Sequence, residues 1–151
     1  SIIKTCMSQW WPAVFEENGF VYQTAEHYMM AGKAKLFNDM AIFEKILSKS
    51  SPKDVKDLGR QIQHFDPAVW DAHKYGIVKQ GNYLKFSQDE RLSHFLLQTG
   101  NKVLVEASPV DPVWGIGLAE DNAAAQDPAQ WKGENLLGFA LMEVRDELKN
   151  K

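Results

Sequence analysis

The sequence is poor in cysteine and has no long apolar run. The first absence bears on the redox compartment of the protein, and the second bears on insertion into a membrane. Cys6 is the only cysteine among the 151 residues, so no disulfide forms within the chain, and a reducing compartment is the simplest home. No apolar stretch approaches the ~18 residues that suggest a membrane-spanning helix, and no signal-peptide pattern is present. We therefore predict a cytoplasmic protein that does not insert into a membrane.

The motifs of several common reaction classes are missing as well. The four histidines show neither HExxH nor a Cys/His ligand spacing, so we predict no metal site. No nucleophile elbow surrounds a serine or cysteine, no GxGxxG follows a predicted strand, and we predict no cofactor. The formal net charge of −3 argues against a general polyanion binder but allows a local basic pocket.

The composition and the helix signals are those of a single compact globular domain spanning residues 1–151. Hydrophobic residues make up 44% and charged residues 25% of the chain, an ordinary mix for such a domain. N-cap and turn residues predict a mainly helical α+β fold with a small sheet. The predicted helices cover residues 24–37, 40–48, 51–59, 66–86, 89–98 and 135–149; short strands flank the Asn18-Gly19 turn, and a further strand covers residues 102–108.

Two of these helices carry a prediction about burial. The last helix is apolar almost all round through Val144, which predicts a central position. In the fourth helix an inner stripe is predicted to consist of Trp70, His73, Ile77, Gly81 and Leu84.

The segment "TAEHYMMAGKAKLF" raises a chemical question. On a helix, Glu26 and Lys33 lie within ~20° of each other, in the middle of a stripe formed by methionines, a leucine and a phenylalanine. Their seven-residue spacing corresponds to ~10.5 Å along the axis, too far for the usual pairing of charges on a helix. Two separately buried charges would be costly, whereas a shared pocket for a polar ligand avoids much of that cost. A paired acid and amine in a partly apolar cleft also suits catalysis.

Each of the two charges also has a plain structural interpretation. Glu26 lies in the first turn, where a carboxylate interacts favourably with the helix dipole. Lys33 could extend past the apolar stripe to reach water.

Aromatic and loop residues supply further candidates for a binding site. Tryptophans such as Trp11 can serve the core or stack on a flat heterocycle. Asp111 and Trp114 lie on a loop whose glycines permit close backbone approach to a ligand. Arg60 follows Gly59 and is either a phosphate ligand or a charge at a helix C-terminus.

Five blocks of the sequence, in order, resemble the YbiA-like, or NADAR, domain family. They are "SQWWPAVF", "TAEHYMMAGKAKLF", "LGRQIQHFDPAVWDAHKYGIVKQGNYLKFSQ", "LVEASPVDPVWGIG" and "NLLGFALMEVR". The resemblance runs from about Met7 to Leu148. Relatives usually have a short strand-like segment before the first block, where only residues 1–6 precede Met7, so we expect a reduced N-terminal wall of the pocket.

The resemblance implies a single, mostly helical domain with N-glycosidase activity and assigns roles to particular residues. The catalytic glutamate of the family corresponds to Glu26 and its functional tryptophan to Trp70. Lys33, Asp111, Trp114 and Asn135 fall in matching blocks. We take Glu26, Lys33 and Trp70 as the catalytic candidates; the substrate-binding candidates are Trp11, Arg60, Asp111, Trp114 and Asn135.

The predicted reaction is hydrolysis of the bond between ribose C1 and an exocyclic amine of a base. By resemblance, the substrate is a phosphoribosyl or ADP-ribosyl compound. One class is the phosphoribosylamino-pyrimidine intermediates of riboflavin synthesis, and the other is ADP-ribose attached to guanine in nucleic acid. Glu26 would act as acid/base, and Lys33 would either hold phosphate or sugar oxygens or attack C1 as a Schiff-base nucleophile. The alternatives are a non-catalytic module that binds ADP-ribose or nucleotides, and a structural domain.

Overall fold

The computed structural model describes residues Ser1–Lys151 and divides into two compact units. The first unit is Gln9–Glu90, and the second consists of Ser1–Ser8 together with Arg91–Lys151. Six α-helices and one two-stranded sheet make up the regular structure, beside short 3₁₀ turns. The predicted mainly helical α+β fold with a small sheet is therefore confirmed.

The first unit begins with a hairpin and continues with four helices. Strands β1 (Phe15–Glu17) and β2 (Phe20–Tyr22) pair antiparallel across Asn18 and Gly19, which both have positive φ, as a tight hairpin turn requires. The helices that follow are α1 (Ala25–Leu36), α2 (Met40–Ser48), α3 (Pro52–Gly59) and α4 (Pro67–Ser87).

Side-chain caps determine where these helices begin. Thr24, Ser51 and Asp66 each accept a hydrogen bond from a backbone N–H of the helix that follows, which satisfies one of the donors left open at a helix start. A proline then occupies the first position of both α3 and α4. The sequence signals for these helix starts are confirmed.

Helix α1 is the centre of the first unit and packs against α2, α3 and α4. Its contact with α4 depends on small residues, because a Cβ atom added to Gly81 would lie 2.5 Å from a ring carbon of Tyr28. The two helices therefore approach closely, and every residue of α1 from Ala25 to Ala31 is buried.

The predicted inner stripe of α4 is only partly correct. His73 is exposed, and the buried positions of the helix are Val78, Gly81, Asn82, Lys85 and Phe86. Because Asn82 and Lys85 are buried, the inner face of α4 differs from the stripe that the pattern of hydrophobic residues predicts.

The second unit contains α5 (Glu90–Gln98), apart from its first residue, and α6 (Leu136–Lys149). The long segment between these helices packs a small core of Val105, Ile116, Leu118 and Ala125, with Trp131 against it. Helix α6 buries Leu137, Ala140, Leu141 and Val144. It is not buried all round, however, because Phe139 is 46% exposed.

The strand predicted over residues 102–108 is wrong. Only Val105 forms a bridge, parallel to Ile2, so the short N-terminal segment does have a strand-like pairing. The neighbouring backbone groups are used differently: the side chain of Asn135 binds Leu104 O and Glu106 N, and Glu106 O accepts a hydrogen bond from Ile116 N. With these groups occupied, no further ladder can form on this segment.

Candidate active site

Glu26 lies in the first turn of α1 and is buried, with only 5% of its surface exposed. Its backbone N–H donates to the carbonyl oxygen of Gln9 at 3.0 Å. The indole Nε1–H of Trp10 donates to its carboxylate Oε1 at 3.4 Å. Gln9 therefore contacts the backbone of Glu26, and Trp10 contacts its carboxylate. Glu26 is not a surface charge at a helix start.

Lys33 follows Glu26 after two turns of α1, and its amine lies in an aromatic environment. The Nζ atom donates to the carbonyl oxygen of Gly59 at 2.9 Å. It lies 4.6 Å from the ring centre of Phe65 and 5.7 Å from that of Trp70. Both rings present a face to which a cation is attracted. Lys33 therefore does not extend into bulk solvent.

The balance of burial and neighbouring charges lowers the pKa of Lys33. Burial lowers the pKa of Lys33, the positive charge of Arg60 lowers it further, and the carboxylate of Glu26 acts in the opposite direction. Desolvation and a like charge both disfavour the ammonium form. The net result is an amine whose pKa lies below the ordinary range of a lysine, which makes it a better nucleophile near neutral pH.

Arg60 and two exposed aromatic rings complete this face of the first unit. Arg60 is the C-cap residue of α3, and its guanidinium lies 3.3 Å from a carboxylate oxygen of Asp57. Phe65 is 42% exposed and Trp10 is 43% exposed. Large aromatic surfaces that remain accessible beside buried charges can stack on a flat base.

In the second unit, Asp111 organises the loop that carries Trp114. Its Oδ1 atom accepts hydrogen bonds from the backbone N–H groups of Val113 and Trp114, at 3.0 and 2.9 Å. This arrangement is an Asx turn, in which an aspartate side chain replaces a backbone acceptor. Burial raises the pKa of Glu106, and the charge of Asp111 raises it further.

Asn135 is fully buried, and its side chain joins two backbone segments. Its Nδ2 donates to Leu104 O at 3.0 Å, and its Oδ1 accepts from Glu106 N at 2.9 Å. Its backbone is left-handed, with φ of 53°, a conformation that asparagine tolerates better than most residues. In the structure described here, the amide of Asn135 thus has partners for both of its ends.

The candidate residues are distributed over both units. Glu26, Lys33, Arg60 and Trp70 lie in the first unit, where Trp70 and Phe65 flank the amine of Lys33 and the charge of Arg60 acts on it. Asp111, Trp114 and Asn135 lie in the second. Trp11 is 42% exposed, whereas its neighbour Trp10 contacts Glu26.

The sequence reasoning selects Trp11 and not Trp10 from the tryptophan pair, and it does not identify Phe65 or the carbonyl oxygen of Gly59. The sequence does not indicate which of the adjacent residues Trp10 and Trp11 points its ring towards Glu26. Phe65 follows His64, whose φ is positive. This backbone turn sets the direction of the Phe65 side chain, and a turn of this kind produces no periodic pattern of hydrophobic residues in the sequence.

Two kinds of feature are absent from the structure. No group of three or more His, Cys, Asp or Glu side chains is placed so that it could hold a metal ion. None of the helices combines the length with the apolar character that crossing a membrane demands.

Comparisons with known proteins place this geometry in context. The NADAR domain matches residues 2–149. The chain is 50% identical over 145 residues to N-glycosidase R617 of Acanthamoeba polyphaga mimivirus, and the match covers 93% of this chain and 85% of that protein. It is 32% identical over 138 residues to N-glycosidase YbiA of Escherichia coli, covering 91% of this chain and 76% of that protein.

The solved NMR structure of E. coli YbiA has a similar fold, with a TM-score of 0.77, 30% identity, and coverage of 95% of this chain and 77% of that one. The riboflavin biosynthesis protein PYRR of Zea mays is 34% identical over 142 residues, covering 88% of this chain but only 21% of the maize protein.

Proposed function

Because this chain belongs to the NADAR domain family, we propose that it hydrolyses the bond between ribose C1 and an exocyclic amine of a base. The chain is an N-glycosidase, a hydrolase that acts on N-glycosyl bonds, as its relatives are. The prediction of an enzyme is therefore confirmed, in preference to a non-catalytic binding module or a structural domain. Its substrate is a small molecule of the nucleoside type.

The observation that carries the finer proposal is the arrangement of Glu26 and Lys33 on α1. The carboxylate is buried and contacted by an indole N–H, and the amine two turns away has a lowered pKa. Hydrolysis of an N-ribosyl amine needs a group that moves protons and a group that stabilises or attacks C1. This pair supplies both functions on one rigid helix.

In the proposed reaction, the neutral amine of Lys33 is the nucleophile. The ring oxygen leaves C1 as the exocyclic nitrogen forms an imine, and Nζ adds to C1. The bond from C1 to the exocyclic nitrogen then breaks, the base leaves as a free amine, and a Lys33 imine remains. Water adds to that imine, Nζ departs, and the released ribose aldehyde closes to its ring form.

Glu26 moves the protons that these steps require. As a general acid it protonates the departing exocyclic nitrogen, and as a general base it accepts a proton from the water that attacks the imine. Each turnover consumes one water and returns both side chains to their starting state. If Lys33 instead only held phosphate, Glu26 would direct water to C1 itself.

The remaining candidates are proposed to bind the substrate. Trp70 lies beside the amine and would stack on the base or support the ribose, and Trp11 and Trp114 would supply further aromatic surface. Arg60 would bind phosphate oxygens, for which a guanidinium is well suited. Asp111 and Asn135 would set the backbone of the loop that carries Trp114.

We propose two further assignments, one from the family match and one from the cysteine. The family match includes residues of both compact units, which supports treating the whole chain as one functional domain. The lone Cys6 is not in a disulfide, which fits a reducing, cytoplasmic setting.

Two substrate classes deserve direct comparison. A phosphoribosylamino-pyrimidine is proposed because a maize relative is a riboflavin biosynthesis protein. ADP-ribose linked to the exocyclic amine of guanine, free or in nucleic acid, presents the same C1–N bond and an additional phosphate for Arg60. Incubation of the protein with each compound tests the proposal, with chromatographic detection of the released base or, for a nucleic-acid substrate, of the released ADP-ribose. Release from at least one is expected, and release from neither would overturn it.

A further inference from the structure

Asn82 is an unusual residue for the buried face of a packed helix. It lies in the last third of α4 and is fully buried, with 0% of its surface exposed. Its Nδ2 atom donates to Val78 O at 2.9 Å and to the side-chain Oε1 of Gln9 at 2.8 Å. Its Oδ1 atom is buried without a hydrogen-bond partner. Such an acceptor costs stability, so packing alone would favour an apolar residue at this position.

The partner of Asn82 is the segment that contacts Glu26. Gln9 accepts a hydrogen bond from Asn82 through its side chain and one from the backbone N–H of Glu26 through its main chain. The next residue, Trp10, donates to the carboxylate of Glu26. Hydrogen bonds through Gln9 thus join α4 to the backbone of the proposed acid/base, and the peptide link from Gln9 to Trp10 extends the connection to its carboxylate.

We propose that Asn82 is a positioning residue for Glu26, acting through Gln9 and Trp10. This inference deepens the proposed function and rests on it. With Asn82 in place, the side chain of Gln9 is fixed, and the indole of Trp10 is aimed at the carboxylate. Without that contact the segment can shift, and a displacement of about 1 Å at a reacting group can cost about 100-fold in rate.

The variant Asn82→Leu keeps the branched shape of the side chain but removes both hydrogen bonds. We expect kcat to fall by about 10- to 100-fold while KM changes little, because the interaction lost acts on the reacting group and not on substrate binding. The matched control is Val78→Ala, one turn earlier on the same helix, at a position that is 1% exposed. It removes buried methyl groups but leaves Gln9 untouched, so it should lower stability and keep kcat.

A spectroscopic measurement tests the same idea without turnover. The NMR signal of the Trp10 indole N–H should follow the ionisation of Glu26, because that N–H donates to its carboxylate. A hydrogen bond to the ionised form lowers the pKa of a carboxyl group. The midpoint of this titration should therefore move to higher pH in Asn82→Leu and stay at the wild-type value in Val78→Ala.

A double-mutant cycle identifies the route. Gln9→Ala, at a half-buried position, should reproduce the loss in kcat, and adding Asn82→Leu to it should cost little more. Gln9→Ala also carries the test if Asn82→Leu does not fold. The proposal would be overturned if Asn82→Leu kept the wild-type kcat. It would also be overturned if the Trp10 titration were unchanged in Asn82→Leu and the losses in kcat of Asn82→Leu and Gln9→Ala were fully additive. Absence of turnover in the wild-type protein would overturn the proposed function instead, and the titration would still decide what Asn82 does.

Discussion

The Nζ atom of Lys33 donates a hydrogen bond to the carbonyl oxygen of Gly59, at 2.9 Å. This contact fixes the amine of α1 at the end of α3 and does so without a carboxylate partner, since Lys33 forms none of the salt bridges in the structure. A carbonyl oxygen can also accept a hydrogen bond from a neutral amine, although the bond is weaker than one from an ammonium, so the contact can persist when the proton is lost. The contact therefore holds Nζ in place in either protonation state, including the neutral one that a nucleophile needs.

The first prediction concerns the imine on Lys33. Borohydride added during turnover should reduce the imine and leave the ribose moiety attached to Lys33, detectable by mass spectrometry of the digested protein. Lys33→Arg should be nearly inactive, because a guanidinium stays protonated and cannot attack C1.

Lys35→Arg is the matched control for this experiment. Lys35 lies two residues further along α1, is exposed, and faces the ring of Phe43. It should retain wild-type turnover and wild-type trapping. The imine would be contradicted if Lys33→Arg kept much of its kcat with only a raised KM and if the wild type gave no adduct. The role of Lys33 would then be limited to phosphate binding.

The second prediction concerns the influence of Arg60 on that amine. The positive charge of Arg60 lowers the pKa of Lys33, so Arg60→Gln should raise it. The free amine would then appear only at higher pH, and the rising limb of the trapping yield against pH should move in the alkaline direction. Arg60→Lys keeps the positive charge and should leave this limb close to its wild-type position. Superimposable profiles for Arg60→Gln and the wild type would show that Arg60 does not act on Lys33.

The third prediction concerns the dependence of stability on pH. Burial lowers the pKa of His27 below its ordinary value of 6.5, although a hydrogen bond to Lys49 O opposes the shift. The ring Nε2–H donates to Lys49 O at 2.7 Å, so Nδ1 accepts from the hydroxyl of Thr24. The folded state therefore prefers neutral His27, whereas the unfolded chain takes up a proton near pH 6.5. This contribution to the free energy of unfolding is complete above about pH 6.5 and is lost as the pH falls towards the pKa of the folded state.

Urea unfolding at pH 7.5 and at pH 5 measures this effect. His27→Gln should be less stable than the wild type at pH 7.5, because it loses the hydrogen bond from Thr24, but its stability should change less between the two pH values. His94→Gln alters an exposed histidine and should keep the wild-type difference. Equal pH dependence in His27→Gln and the wild type would exclude His27 as the source.

The parts of the fold that could be predicted from the sequence are those controlled by local chemistry. Thr24, Ser51-Pro52 and Asp66-Pro67 mark helix starts because each cap bonds within three residues of itself. The strand predicted over residues 102–108 is absent because backbone groups of this segment form hydrogen bonds with Asn135 and Ile116. Such distant partners leave no trace in the pattern of the segment itself.

The candidate site divides in the same way. The shared face of Glu26 and Lys33 follows from the helical repeat alone. Phe65 and the carbonyl oxygen of Gly59 reach Lys33 only because α3 ends beside α1, which is a property of tertiary packing. The burial of Asn82 likewise runs against hydrophobic patterning, and its contact with Gln9 spans 73 positions of the chain.

The central claim is that the buried carboxylate of Glu26 moves the protons of N-glycosyl hydrolysis. The measurement that tests it most directly is the kcat of Glu26→Gln, on whichever substrate the wild type cleaves, with circular dichroism to verify the fold. The amide keeps the size of the side chain and can still accept from Trp10, but it cannot ionise. We predict that kcat falls by roughly 10²- to 10⁴-fold, as expected for a positioned acid/base. A folded Glu26→Gln protein with near-normal kcat would contradict the account.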